Sequence, residues 1–179
     1  IQCCLVGSEM CIRDRKYRGM TIAEAAQLRG ETPEETIVNL IIEDESRIQC
    51  IYFSMSEENV RKKIKLPWVS FDSDAGSYSD ISKDFITHPR AFGSFARVLG
   101  KYVREEKLIS MEEAIRRLSG FPSDNRGVKN RGYLKVGYYA DIVVFDPKTI
   151  RDKATFEDPL QFAEGVEHVF VNGVQVLLD

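Results

Sequence analysis

The stretch Pro67-Trp-Val-Ser-Phe-Asp-Ser-Asp-Ala-Gly76 decides how this sequence is interpreted. After the proline, residues 68–71 are rich in aromatic and β-branched types, which predicts a buried strand. The residues that follow have the composition of a turn. Asp74 would then lie just past the carboxyl end of a strand, the end that carries the chemistry in barrels of alternating strands and helices. Asp74 is therefore a candidate catalytic residue, although the same turn composition is also typical of an ordinary surface loop.

The second informative stretch is His88-Pro-Arg-Ala-Phe-Gly. Arg90 is a candidate for binding a carboxylate, because a planar guanidinium can form two parallel hydrogen bonds with one. An ordinary surface arginine near a helix is the other interpretation that the residues allow. His88 and His168 each stand alone in the sequence, and a lone histidine is more often a hydrogen-bonded structural residue than a metal ligand. We therefore assign neither histidine to a metal.

From about Met20 to the C-terminus, these stretches and three others resemble the C-terminal portion of the N-acyl-D-amino-acid deacylases (D-aminoacylases), zinc enzymes of the amidohydrolase superfamily. The Ser73-Asp74 and His88-Pro-Arg90 pair is closer to the deacylases than to the wider superfamily. The other matching stretches are Arg97-Val-Leu-Gly-Lys-Tyr-Val-Arg-Glu-Glu, Gly137-Tyr-Tyr-Ala-Asp-Ile-Val-Val-Phe-Asp-Pro and Val169-Phe-Val-Asn-Gly.

The resemblance implies an α/β fold. The chain would be the C-terminal part of a (β/α)8 metallo-dependent hydrolase barrel (a TIM barrel), followed by strands of a small β-sandwich domain. Residues 16–122 would supply the last strands and helices of the barrel, and residues 123–179 the sandwich strands.

Residues 1–15 do not resemble the family and look like translated sequencing adapter, so we expect them to be non-native. The alternative, that Cys3, Cys4 and Cys11 bind a metal or form a disulfide, lacks the paired Cys-x-x-Cys spacing of a zinc site.

The implied reaction is hydrolysis of an N-acyl-D-amino acid to a D-amino acid and a carboxylate. A bound zinc would polarise the carbonyl and lower the pKa of the attacking water. By resemblance, Asp74 would take the proton of that water and pass it to the departing amine, and it is also the candidate metal ligand of this chain. Arg90 would lie at the carboxylate end of the substrate. The family's remaining ligands, a His-x-His pair, a cysteine and two further histidines, cannot be placed here, so we expect the chain alone to be inactive.

Two alternatives remain open. The first is another amidohydrolase acting on a cyclic amide or ureide, as dihydroorotase-like enzymes do. The second is a non-catalytic interaction module. Strands from an unclosed barrel would leave edges and apolar surface exposed, so we expect the isolated chain to self-associate.

The composition of the chain limits the kinds of partner that it can bind. With 43% hydrophobic residues and a net charge of only -3, the chain is a globular protein and not a nucleic-acid binder. The cluster Arg61, Lys62, Lys63 and Lys65 has acidic neighbours, so we interpret it as a solvated helix face. No stretch reaches the roughly 18 apolar residues of a membrane span, and no signal-peptide pattern opens the sequence, so we expect no membrane partner and a cytoplasmic protein. The expected partners are a small-molecule N-acyl amino acid and the remainder of the chain's own barrel.

Short motifs predict the helices. Thr21-Ile-Ala-Glu24 and Thr32-Pro-Glu-Glu35 are capping boxes that begin two helices, and Gly30 is placed to end the first. We expect the broad apolar face of the second helix to pack against a sheet; it contains Ile37, Val38, Leu40, Ile41 and Ile42. Further helices are predicted over residues 56–64, over residues 91–106, and from Ser110 to a stop at Gly120 and Pro122.

Alternating apolar residues predict the strands. Residues 47–53 form one, with Cys50 expected in the core. Together with residues 68–71 and the intervening helices, this order is typical of a parallel sheet. Asn172-Gly173 is a strong hairpin signal. The C-terminal strands are predicted over residues 133–136, 140–145, 167–171 and 174–178.

Overall fold

A computed structural model describes residues 3–6, 15–17, 19–44, 49–76 and 87–178. The chain divides into two compact units. The first unit comprises Ile1–Ser56 with Ser77–His88, and the second unit comprises Glu57–Gly76 with Pro89–Asp179. None of the helices in the described ranges has the combination of length and apolar character that a bilayer crossing requires.

The first unit contains two α-helices and a two-stranded sheet in its described residues. Strand β1 (Cys3–Val6) pairs antiparallel with strand β2 (Gln49–Tyr52). Between them lie a short 3-10 helix (Arg15–Tyr17), helix α1 (Ile22–Arg29) and helix α2 (Pro33–Asp44). Strand β1 belongs to the segment that we expect to be non-native, and that expectation stays a prediction.

The capping boxes begin the two helices as predicted. Thr21 Oγ1 accepts a hydrogen bond from the Glu24 amide at 3.2 Å, and the Glu24 carboxylate accepts one from the Thr21 amide at 2.7 Å. The same reciprocal pair joins Thr32 and Glu35. Gly30 ends α1 in the left-handed conformation at φ 69°, where a side chain would be strained.

The structure corrects the prediction for the apolar face of α2. Leu40 and Cys50 pack against a small core of Ile22 and Ala25, so α2 lies on helix α1. The other apolar residues of the face are 44–66% exposed, namely Ile37, Val38, Ile41 and Ile42. The expected packing of this face against a sheet is wrong for the described residues, because the sheet of this unit has two strands only and α1 occupies the inner side of α2.

The second unit begins with helix α3 (Glu57–Ile64). Helix α4 (Arg90–Arg97) continues without a break as a π-helix (Val98–Glu105). The two together match the predicted helix over residues 91–106. Helix α5 (Met111–Leu118) begins at the predicted cap, where Ser110 Oγ accepts from the Glu113 amide. Helix α6 (Gly120–Arg126) and strands β3 (Ile142–Phe145), β4 (Val166–Val171) and β5 (Val174–Leu178) complete the unit.

Strands β3, β4 and β5 form an antiparallel sheet in chain order. Val143 lies opposite Val169, and Val169 lies opposite Leu177. Asn172 and Gly173 have φ values of 52° and 80° at the β4–β5 turn, which confirms the predicted hairpin. All strand pairings in the described ranges are antiparallel, so the expected parallel sheet is not seen there.

One core joins the helices of the second unit to this sheet. Its buried members are Ala96, Val98, Leu99, Val103, Ala114 and Ile150. Phe71, Phe145 and Val166 pack against them from the loop before Asp74 and from strands β3 and β4. Leu99 and Tyr102 of the π-helix are buried, whereas Phe95 of α4 is half exposed.

Residues 68–71 do not form the predicted strand. Trp68 is 68% exposed, and the segment has turn and irregular backbone. Its peptide groups bond to helix α5: the Phe71 amide donates to the Arg117 carbonyl at 3.4 Å, and the Val69 carbonyl accepts from Arg117 Nε at 2.5 Å. The strand prediction is wrong because a helix, and not a neighbouring strand, provides these partners.

Two predictions concern the residues around helix α6, and one of them fails. Residues 133–136 are not a strand, since local bonds such as Tyr139 N to Asn130 O close the segment into turns. The predicted stop is confirmed, since α5 ends at Leu118. Gly120 and Pro122 were not predicted to begin a new helix, but they lie in the first turn of α6, where a proline is tolerated because that turn's amides need no intrahelical partner. A side chain at Gly120 would meet the Tyr133 ring at 2.6 Å, which explains the glycine.

Candidate active site

Asp74 lies in an exposed turn of the second unit. The turn begins with a local bond, in which the Ser73 amide donates to Asp72 Oδ1 at 2.8 Å. Asp74 has φ 46°, a left-handed conformation that non-glycine residues adopt rarely and that aspartate tolerates better than most. Such backbone outliers occur preferentially at functional sites. The Asp74 side chain is 82% exposed, so its carboxylate is accessible.

Arg90 is the first residue of helix α4, and it meets Asp74. Arg90 Nη2 lies 2.9 Å from Asp74 Oδ2, and the Arg90 side chain is 46% exposed. The two residues that the sequence nominates from separate stretches therefore form an ion pair. An exposed pair of this kind contributes only about 0–1 kcal/mol, so a competing carboxylate can displace Asp74 from Arg90.

The described residues do not fit a zinc site. No group of three or more His, Cys, Asp or Glu side chains within them could hold a metal ion. The carboxylate of Asp74 faces a guanidinium, and a second cation there would be repelled. The role of Asp74 as a metal ligand stays a prediction, and the described part of the chain does not provide its co-ligands.

The two histidines lie in different units of the chain. His88 lies in the first unit and is partly buried. His168 lies on strand β4, where its Nδ1 is 3.2 Å from Gln175 Nε2 and its ring contacts Phe170. These surroundings of His168 agree with a structural role.

The basic cluster on helix α3 is paired with acidic residues. Arg61 Nε lies 2.7 Å from Glu106 Oε2, and Lys62 Nζ lies 2.6 Å from Glu58 Oε1. The hydrogen bonds that Arg61 donates to the Glu106 carboxylate raise the pKa of Arg61. These pairs support the interpretation of Arg61 and Lys62 as part of a solvated face with acidic neighbours.

Arg117 is the site-related residue that the sequence analysis missed. It is 0% exposed and bonds the segment that leads to Asp74. The sequence did contain an indication of its burial, because Arg117 follows Ala114 by three positions and therefore lies on the buried face of α5. Charged residues are almost never fully buried unless paired, so the residue type argued against a buried position for Arg117.

Comparison with known proteins identifies relatives over most of the chain. The model of the amidohydrolase family matches residues 10–177. The chain is 42% identical to an N-acyl-D-glutamate deacylase of Alcaligenes xylosoxydans xylosoxydans, over 71% of this chain and 25% of that protein. It is 36% identical to a D-aminoacylase of the same organism, over 88% of this chain and 31% of that protein. A dihydroorotase of Lactobacillus gasseri matches more narrowly, at 38% identity over 30% of this chain and 12% of that protein.

Solved structures are similar as well. A crystal structure of D-aminoacylase, described as defining a novel subset of amidohydrolases, superposes with a TM-score of 0.85 at 32% identity, over 100% of this chain and 35% of that one. An N-acyl-D-glutamate deacylase from Bordetella bronchiseptica, complexed with zinc and a phosphonate mimic of the tetrahedral intermediate, superposes with a TM-score of 0.84 at 33% identity, over 98% of this chain and 34% of that one. The chain thus spans about a third or less of the length of these relatives.

Proposed function

The chain belongs to the amidohydrolase family, and on that premise we propose that it is the C-terminal portion of a zinc-dependent deacylase. The whole enzyme would hydrolyse N-acyl-D-amino acids to a D-amino acid and a carboxylate. The observation that carries the proposal is the Asp74–Arg90 ion pair, which brings an accessible carboxylate and a carboxylate-binding guanidinium to one place. Relatives whose names specify N-acyl-D-glutamate and D-amino-acid substrates support the same reaction class.

In this proposal, residues 16–122 are the last strands and helices of a (β/α)8 barrel, and residues 123–179 are strands of a β-sandwich. The exposed apolar face of α2 supports the barrel assignment, since the remainder of the barrel would cover it. Residues 1–15 would lie outside the native enzyme. The zinc ligands other than Asp74 would lie outside the described residues, because those residues contain no group of three or more side chains that could hold a metal ion.

The pair suggests how the chain's own residues would act. The substrate carboxylate would replace Asp74 on Arg90, which can bind it with two parallel hydrogen bonds. The released Asp74 carboxylate would accept a proton from the attacking water as the new carbon–oxygen bond forms. It would then donate that proton to the amine nitrogen as the carbon–nitrogen bond breaks, which returns Asp74 to its ionised form.

A second candidate is an amidohydrolase that acts on a cyclic amide or ureide. The partial similarity to dihydroorotases favours it, although that match covers less than a third of the chain. Arg90 separates a deacylase from an enzyme whose cyclic substrate lacks a free carboxylate, because such a substrate gains nothing from its guanidinium. Arg90→Ala should raise the KM for N-acyl-D-amino acids and leave that for a cyclic ureide unchanged if the deacylase assignment is correct.

The decisive experiment is an activity assay of a chimera. Residues 16–179 would replace the matching segment of the D-aminoacylase to which they are similar, and release of D-amino acids from N-acetyl-D-amino acids would be measured. We expect turnover from the chimera and none from the isolated chain. Asp74→Asn should lower kcat by about 10²–10⁴-fold, the usual contribution of a general acid–base residue.

Asp72→Asn is the matched control, because Asp72 lies in the same turn and caps it locally through Ser73. We expect that variant to keep kcat within about threefold of the parent, because an asparagine oxygen can still accept from the Ser73 amide and the proposal gives Asp72 no role in the reaction. An Asp74→Asn chimera that turns over as fast as the parent would refute the role proposed for Asp74.

A further inference from the structure

Arg117 of helix α5 is a buried cation with an unusual set of partners. Its side chain is fully buried, at 0% exposure. Nε donates to the Val69 carbonyl and Nη1 to the Ile64 carbonyl, both at 2.5 Å. The guanidinium carbon lies 4.4 Å from the centroid of the Phe71 ring. One side chain therefore holds residues 64–71 at three points.

The cost of burying this charge suggests that it has a purpose beyond packing. Burial lowers the pKa of Arg117 from its ordinary value. Its Nη2 has no hydrogen-bond partner among the described residues. An apolar residue of similar size would fill the same space without the penalty of desolvating a cation. What the guanidinium adds is the set of bonds to residues 64–71.

Those bonds lie directly before the candidate active site. Ile64 ends helix α3, where carbonyls lack intrahelical partners and a cation is favoured by the helix dipole. Phe71 also donates its amide to the Arg117 carbonyl at 3.4 Å. After Phe71, only Asp72 and Ser73 separate the held segment from Asp74. The anchoring by Arg117 therefore ends next to the residue that pairs with Arg90.

From this arrangement we infer that Arg117 is a positioning residue, which sets the location of Asp74 relative to Arg90 by holding residues 64–71 against helix α5. The inference rests on the proposed function for the reaction that Asp74 serves, whereas the anchoring itself does not. A lysine could not replace the arginine, because a single ammonium group cannot reach two diverging carbonyls and stack on a ring together.

The first test measures the anchoring in the chain itself. Backbone ¹⁵N relaxation would be recorded for the parent, Arg117→Lys and Arg117→Gln. We expect the order parameter of the Asp74 amide to fall from the roughly 0.85 of rigid backbone to below about 0.6 in both variants. Methylguanidinium added to Arg117→Ala should restore the parent value, a rescue that a purely structural loss would not show.

Arg131→Lys is the matched control. Arg131 also stacks on a ring, 4.2 Å from the Tyr139 centroid, and bonds Asp141 and Asn172 in the C-terminal part of the unit. Its variant should leave the Asp74 amide unchanged. Unchanged order parameters over residues 67–74 in both Arg117 variants, with only a lowered melting temperature, would overturn the inference.

The second test uses the chimera described above and separates binding from chemistry. A misplaced carboxylate should lower kcat by about 10²-fold in Arg117→Lys, with KM kept within about threefold. Equal losses in kcat and 1/KM, or no loss, would contradict the positioning role. If the parent chimera is inactive, the proposed function fails, whereas the order parameters still decide whether Arg117 anchors Asp74.

Discussion

Helices α2 and α4 carry similar apolar stripes in opposite surroundings. On α2, Ile41 and Ile42 are 49% and 66% exposed. On α4 and its π-helical continuation, Ala96, Leu99 and Val103 are buried. The buried stripe packs against Ala114 and Ile150, which lie later in the chain, whereas the inner side of α2 packs against helix α1. Amphipathic spacing thus predicts which face prefers burial, and distant elements decide whether burial occurs.

The largest expected effect is a loss of folding stability, which is tested by truncating one residue on each stripe. Leu99→Ala should lower the free energy of unfolding of the second unit by about 2–5 kcal/mol, because it removes buried methyl groups and leaves a cavity. Ile41→Ala should change it by less than about 0.5 kcal/mol, as surface substitutions do. Urea unfolding monitored by Trp68 fluorescence measures the stability of the second unit, and unfolding monitored by far-UV circular dichroism measures that of the whole chain. Equal losses in the two variants would contradict the assigned difference in burial.

An intermediate effect is expected on self-association. If the exposed α2 stripe is what draws copies of the isolated chain together, Ile41→Lys should raise the dissociation constant about tenfold or more, since burying one such side chain is worth about 1.5–3 kcal/mol. Leu134→Lys is the control, because Leu134 is also an apolar residue and is even more exposed, at 81% against 49% for Ile41, but lies in the second unit. Sedimentation velocity over a concentration series measures both. A parent chain that stays monomeric throughout would remove the basis of this prediction.

The smallest expected effect concerns an ion pair that each region contains. Arg61 pairs with Glu106 beside the π-helix, and Arg29 pairs with Glu43 at the end of α2. In each pair, hydrogen bonds from the arginine lower the pKa of the glutamate. A glutamate whose pKa is lower in the folded state stabilises the fold above its unfolded pKa, and this contribution is lost as the pH falls through the folded value.

Both pairs should therefore weaken as the pH drops below about 4.3, the ordinary glutamate value. Melting temperatures between neutral and acidic pH, measured for the parent, Glu106→Gln and Glu43→Gln, would show this as a shallower decline in each variant. A decline as steep as that of the parent in both variants would mean that neither pair contributes.

Local motifs in this sequence were predicted correctly. The capping boxes at Thr21 and Thr32, the cap at Ser110 and the Asn172-Gly173 hairpin all form as expected. Each depends on hydrogen bonds between residues two to four positions apart, so the sequence contains all that is needed. Asp74 and Arg90 were also nominated from local features, a turn after an apolar run and an arginine near a helix start, and the roles assigned to them stay predictions.

Only the tertiary structure decided the features that depend on distant partners. Residues 68–71 look like a strand, but their peptide groups bond to Arg117 of helix α5, so no strand forms. The burial of Arg117 itself follows from that packing, and composition argues against it. The meeting of Asp74 with Arg90 also required the folded chain, because it joins two segments that the sequence keeps apart. A residue type and its spacing determine what a side chain can do, whereas long-range contacts determine which partner it has.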